Sequence, residues 1–508
     1  MNAADLAVYD ALYASIAEEM GAALERSATS VNIKERRDLS CALFDATGRL
    51  LAQAAHIPVH LGAMPLSVRA VLSRRPPRPG DVVLLNDPWA GGTHLPDLTA
   101  VAAWGPFVVA NRAHHADVGG ASPGSLGLAA DIHGEGLRIP PVRIVRAGRI
   151  DEDLLSLLCA NVRAPSERRE DLIAQVETLR RGIARLQESA RRLGLEAMVA
   201  AGEGLIAAAR RAAAQAVRAL RAGIHRFEDE LDGGLRIAVA LEVDAREGLL
   251  RADFAGSSPQ SDLPLNANLA VTESAVTYAL ALLLPPETPL NEGVRASVAV
   301  AAPEGTIVNA RYPAPVAGGN VETSQRIVDV LLGALAGAAP GRLPAASQGT
   351  MNNLTIGGEG FAYYETMGGG AGAGPGGDGA SAIQTHMTNT RNTPIEALEQ
   401  RLPLLVRTLR IERGSGGEGW RRGGDGLRKE IEFRAKCVVH LLSDRRTKGP
   451  YGAEGGGPGL PGEDSILRRG APGSVAVPGR ARLEVEPGDK LSVRTPGGGG
   501  FGTLRPGI

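Results

Sequence analysis

Apolar positions recur at helical spacing near the start of the chain. Leu6, Tyr9, Leu12, Ile16 and Met20 mark one face of a helix over residues 6–24. The polar stretch 26–38 breaks that pattern, and 40–44 and 50–52 read as two strands joined by a turn at Gly48. A helix follows over 64–72, then a buried strand over 82–85. Segments 98–104 and 107–110 predict a hairpin around Gly105-Pro106. The clearest helical region spans 167–227, with a stripe of Leu172, Val176, Leu179, Ile183 and Leu186 and an alanine-rich continuation after Gly194. His225 then falls at its end, as a packing or capping residue.

From Leu235 the period changes to two. Ile237, Val239, Leu241 and Val243 alternate, and with 249–254 they predict a second hairpin. A helix over 267–284 stops at Pro285-Pro286. Strands over 294–300 and 306–309 and a helix over 322–337 come next, and short alternating runs at 431–433, 438–442 and 491–493 close the chain. The pattern predicts a mixed α/β (α+β) fold in four parts. These are an N-terminal region with glycine-rich loops (1–164), a helical insert (165–230), a central α/β region (231–425) and a β-rich C-terminal region (426–508).

Composition narrows the function. The 55 basic and 56 acidic residues nearly cancel, so neither nucleic acid nor an anionic membrane is indicated as a partner. Aromatic residues, at 3%, leave little for a base-stacking platform. Three dispersed cysteines, Cys41, Cys159 and Cys437, argue against a disulfide framework. No basic-then-apolar leader opens the chain, and the apolar run near 279–284 is too short for a bilayer, so the expectation is a cytoplasmic protein.

Candidate chemistry concentrates in 84–125. This stretch holds His94, His114 and His115 with Asp87, Asp97 and Asp117 among glycines. The predicted hairpin returns His114 and His115 close to His94 and Asp97. Imidazole and carboxylate donors together suit a divalent ion such as Zn, Mn or Fe. Hydrogen-bonded histidines in glycine loops are the alternative, since H-x-x-D spacing is a weak signal. His56 and His60 flank Pro58, and His60 is a candidate outer partner of a metal ligand. Gly120-Ala-Ser122-Pro-Gly124 matches G-x-S-x-G, but Pro123 and the absence of a following helical pattern argue against a nucleophilic Ser122. The glycine-dense stretch 357–379 lacks the P-loop pattern and reads as a close-packed loop, with a backbone phosphate cradle as the alternative.

NDPWAGGTHLPD (86–97) followed by NRAHHADVGGASPGS (111–125) resembles the signature of the hydantoinase B/5-oxoprolinase family, which includes acetone and acetophenone carboxylase subunits. NIKERRDLSCALFD (32–45), HIPVHLGAMP (56–65), EGLRIPPVRI (135–144) and GGNVETSQRIVDVLLGAL (318–335) fit the same pattern. So do ASQGTMNN (346–353), YYETMGGGAGAGPGGDGASA (363–382), HMTNTRNTPIEALE (386–399) and TPGGGGFG (495–502), so the likeness runs along nearly the whole chain.

The resemblance implies a subunit of an ATP-dependent cyclic amidohydrolase. A hydantoinase A-like ATPase partner would phosphorylate the carbonyl of a small lactam or hydantoin-like ring, and this chain would open the C–N bond in a hetero-oligomer. The lack of a nucleotide motif here agrees with ATP being used by the partner. The resemblance also selects His114 over His115 as the ligand, adds Asp38 to His94, Asp97 and His114 as a fourth ligand of one divalent ion, and leaves His115, Asp117 and Asp87 as acid–base candidates. A ketone carboxylase large subunit and a non-catalytic scaffold are the alternative readings. The family's carboxylase branch tends toward H-Q-Y-D, against H-H-A-D here, which favours the hydrolase.

Overall fold

The computed structural model describes residues 1–54 and 57–504, and His56 lies outside them. It has a mixed α+β architecture built on four sheets. The N-terminal sheet contains β1 (Leu39–Asp45), β2 (Leu50–Gln53), β3 (Val82–Leu85), β4 (Asp97–Trp104), β5 (Phe107–His114), β6 (Val142–Arg146) and β7 (Arg149–Ile150). Their order is β2-β1-β5-β4-β3-β6-β7, antiparallel throughout.

Alternation along the strands divides this sheet between two cores. Val109 and Leu98 face a core with Tyr13, Ile16 and Met20 of helix Ala3–Ser27 and Leu172 and Leu179 of helix Pro165–Leu193. Val108 and Val101 face the other side, against Met64, Val68 and Val71 of helix His60–Arg74.

Register decides where the chemistry falls. The β4–β5 hairpin pairs Trp104 with Phe107 at its turn and Asp97 with His114 at its open end. On the other side of β5, Leu39 pairs with Ala113, and the His114 amide donates to the Asp38 carbonyl at 3.0 Å. Asp38, Asp97 and His114 therefore stand at one end of three adjacent strands.

The helical region ends earlier than its pattern suggests. Helices Pro165–Leu193 and Leu195–Arg218 flank Gly194, but Gly223–Leu231 is a strand, β8, paired along its length with β9 (Leu235–Asp244). The helix expected over 223–227 is thus corrected. Ile224 and Phe227, three apart, prolong the helical stripe in the sequence. The helix ends at Arg218, Gly223, at φ 120°, opens the strand, and Phe227 packs its ring on Gly333 of helix Ser324–Ala338. His225 accordingly lies on β8.

The second sheet has the order β11-β10-β9-β8, with β10 (Leu249–Asp253) and β11 (Val298–Ala301) parallel. Helices Leu269–Ala281 and Ser324–Ala338 share its core. Two expected strands differ here. Segment 294–300 opens as the helical turn Glu292–Arg295 before β11, and 306–309 forms isolated bridges around the buried Ile307 and Val308.

Strands Asn353–Gly358 and Phe361–Glu365 join Cys437–Leu442 and Arg480–Val485 in the third sheet. The fourth is formed by Leu404–Glu412, Gly426–Phe433, Glu463–Leu467, Val475–Val477 and Lys490–Arg494. Leu354, Phe433, Val439 and Leu491 belong to their common core.

Beside these sheets, glycine-rich segments pack backbone on backbone. A Cβ on Gly498 would lie 2.0 Å from the Ala371 carbonyl oxygen. Their amides donate to neighbouring carbonyls: Gly370 to Pro496, Gly424 to Ala371, Gly498 to Gly424, each at 2.9 Å. Within 357–379 the amides of Gly369, Gly370, Ala371, Ala373 and Gly379 likewise donate to backbone carbonyls, which is the close-packed arrangement expected of this stretch. Among the described residues, no helix is long and apolar enough to cross a membrane.

Candidate metal centre

The loop between β3 and β4 carries His94. Asn86 fixes it by donating to the carbonyls of Leu95 at 2.8 Å and Leu137 at 2.9 Å. Asn268 reaches across from the second core to the carbonyls of Gly92 and Thr93. Gly91 sits at φ 84° where a Cβ would lie 2.3 Å from the Ser67 amide nitrogen, so only glycine fits the close approach to helix His60–Arg74. Asp87 caps the short turn Pro88–Ala90 through the Trp89 amide and is not part of the histidine cluster.

This scaffold brings His94, Asp97 and His114 together, all nearly fully buried. His94 Nε2 lies 3.2 Å from His114 Nδ1 and 3.2 Å from Asp97 Oδ1, and His114 Nδ1 lies 3.1 Å from the same oxygen. With metal–ligand bonds of about 2.1 Å, the edges of an octahedron are about 3.0 Å and those of a tetrahedron about 3.4 Å. The triangle falls between them.

The donor set argues the same way. His94 Nδ1 is 3.3 Å from the Ala317 carbonyl, which can only accept, so Nδ1 carries the proton there and a ring with no second proton would present a bare Nε2. Two acceptors, Nε2 and the Asp97 carboxylate, would then face each other, as they do around a shared cation.

Outer contacts orient these groups. His60 Nε2 lies 3.4 Å from Asp97 Oδ2, while its Nδ1 meets Ser40 Oγ at 2.7 Å. Thr93 Oγ1 also donates to Asp97 Oδ2. His60, the candidate outer partner, thus touches the Asp97 carboxylate. Tyr364 stacks on His114, with centroids 4.7 Å apart, and its hydroxyl donates to Asn353 Oδ1 at 2.8 Å. The Asn320 amide reaches His94 Nε2 at 3.2 Å.

A cavity of about 20 Å³ opens on the cluster, with Asp38, Asn320, Tyr364 and Thr388 also in its wall; that is room for about one water-sized sphere. Asp38 lines this cavity but stands outside the ligand triangle, 3.7 Å from the buried Arg36 guanidinium. Arg37, Asn352 and His386 adopt left-handed backbone at φ 54°, 49° and 54°, each beside a cavity residue: Asp38, Met351 and Met387. Such conformations cost energy and cluster where side chains must be aimed.

His115 and Asp117 face elsewhere. His115 Nε2 bonds Gln175 Oε1 at 2.9 Å, and burial followed by the Arg168 charge lowers its pKa to about 4. Asp117 binds the Arg163 amide and guanidinium, at 2.7 and 2.8 Å. Both line a separate cavity against helix Pro165–Leu193. Sequence reasoning left Thr93, Asn320 and Tyr364 without roles, although all three lie in the quoted NDPWAGGTHLPD, GGNVETS and YYET motifs.

The hydantoinase B/oxoprolinase family model matches residues 2–504. The chain belongs to the hydantoinase B/oxoprolinase family. The family member 5-oxoprolinase 1 of Arabidopsis thaliana is 40% identical over 99% of this chain, which spans 42% of that protein. The chain thus covers about two fifths of a 5-oxoprolinase. The B component of a putative D-/L-hydantoinase from a Pseudomonas species is 30% identical, covering 96% of this chain and 88% of that one. Among solved structures, an ATP-dependent caprolactamase from Pseudomonas jessenii superimposes with a TM-score of 0.92 at 28% identity, over 99% of this chain and 91% of that one.

Proposed function

We propose that this chain is the ring-opening component of an ATP-dependent cyclic amidohydrolase. It acts on a lactam or hydantoin-like ring whose carbonyl oxygen has been phosphorylated by a hydantoinase A-like ATPase, present as a separate partner or a fused domain. The triangle of His94 Nε2, Asp97 Oδ1 and His114 Nδ1 carries the reading. The caprolactamase and 5-oxoprolinase likenesses supply the substrate class, and the long 5-oxoprolinase chains leave room for an ATPase part.

His94, Asp97 and His114 would hold one divalent ion, and the ion would supply Lewis-acid chemistry, acidifying a water and polarising the phosphorylated oxygen. Asp38, in the cavity wall, accepts the proton of the attacking water. Arg36, 3.7 Å away, aims that carboxylate. His60 and Thr93 hold Asp97 so that its Oδ1 faces the two imidazoles. One water adds to the activated carbon and the C–N bond breaks as the proton taken up by Asp38 passes to the nitrogen, leaving an acyl phosphate, which a second water cleaves to carboxylate and phosphate.

The test is reconstitution of the chain with a hydantoinase A-like ATPase on a panel of lactams, hydantoins and ketones. The reading expects ring opening coupled to ATP hydrolysis, lost with Asp38→Asn. Ketone-dependent consumption of bicarbonate without ring opening would replace it with the carboxylase reading.

A further inference from the structure

Glu135 is buried in the short turn Ile132–Glu135, outside the set of candidate ligands. Its Oε1 accepts the Ala317 amide at 2.9 Å. Ala317 begins the segment that runs into Asn320. The carbonyl of the same Ala317 accepts the Nδ1 proton of His94. One carboxyl thus holds the amide of the residue whose carbonyl holds the ring.

We infer that Glu135 is a positioning residue for His94: by holding the Ala317 amide it fixes the residue whose carbonyl selects the tautomer with Nε2 bare. The inference rests on the proposed metal site and adds a residue to it. A metal-ligating histidine needs a partner on its other nitrogen to fix tautomer and orientation. Here that partner is a backbone carbonyl, which can shift unless the residue that carries it is anchored, as Ala317 is through its amide. Glu135 has no contact with the ligand atoms, so it acts only through Ala317. Burial pushes its pKa up to about 8, so near neutral pH it is largely an uncharged acceptor. Glutamine can therefore replace it, keeping a carbonyl oxygen in the place of Oε1.

The measurement is titration of the purified, metal-free chain with Co²⁺, reading affinity and the visible absorption band. Glu135→Gln is expected to match the wild type. Glu135→Leu, which removes the acceptor, should weaken Co²⁺ binding by roughly 10-fold or more and shift the band, in line with losses from outer-partner mutation. Glu135→Asp, one methylene shorter, provides the same comparison if the leucine variant does not fold. If Glu135→Leu and Glu135→Asp bind Co²⁺ with wild-type affinity and spectrum while His94→Ala abolishes binding, the Glu135 inference is overturned and the metal reading stands. If His94→Ala binds like the wild type, the metal reading falls and the inference falls with it.

Discussion

His114 and His115 are consecutive yet point to opposite sides of the N-terminal sheet: His114 Nδ1 stands 3.1 Å from Asp97 Oδ1, and His115 Nε2 stands 2.9 Å from Gln175 Oε1. Alternation at the end of β5 forces this separation. One histidine serves the candidate centre, and the other ties the sheet to helix Pro165–Leu193. His115→Ala should therefore keep metal affinity within about twofold. It should cost about 1–3 kcal/mol of stability, because Gln175 Oε1 loses its buried donor. Denaturant unfolding beside metal analysis checks both. Metal loss equal to that of His94→Ala would remove the distinction.

The hairpin that builds the centre was legible because its two strands are continuous apolar runs around Gly105-Pro106, and the register follows from that turn. Asn320 and Tyr364 could not be placed by pattern. They reach the histidines across more than two hundred residues of sequence, through contacts that no local periodicity encodes. The strand Gly223–Leu231 was hidden for another reason: its apolar residues are few and its inner face packs on a helix, so a period of two barely shows. The glycine-rich segments were legible as close-packed, but their partners were not, since backbone-on-backbone contacts leave no side-chain signal.

Tyr364 offers a graded test of support for His114. Tyr364→Phe keeps the stacked ring and removes only the hydrogen bond to Asn353, so it should cost about 1 kcal/mol of stability and little metal affinity. Tyr364→Ala removes the wall behind the imidazole and should weaken metal binding by roughly 10-fold or more. Equal metal affinity in the two variants would contradict a role for the ring.

Glu322 predicts a pH dependence. Burial raises its pKa from the ordinary 4.5 to about 8, while its Oε1 accepts from the Met351 amide and Asn353. The folded state thus holds a proton that the unfolded chain releases. The stability this supplies is fully present below pH 4.5 and is lost as pH rises toward 8. Glu322→Gln is uncharged at every pH, so its stability relative to the wild type should climb across that window, by at most about 1.4 kcal/mol per pH unit. Parallel stability–pH curves for the two proteins would refute this.

Gly498→Ala should destabilise the chain by about 3 kcal/mol or more, because the added Cβ meets the Ala371 carbonyl oxygen and neither backbone can withdraw. Thermal unfolding checks it. A melting temperature within a degree of the wild type would show that the glycine layer is looser than its geometry.

The central claim is most directly tested by the metal content of His94→Ala and His114→Ala, measured by mass spectrometry on folded protein beside the wild type and His115→Ala. The account predicts about one divalent ion per chain in the wild type and in His115→Ala, and loss of that ion in the other two. Full metal in both His94→Ala and His114→Ala would place the ion elsewhere and contradict the mechanism built on the triangle.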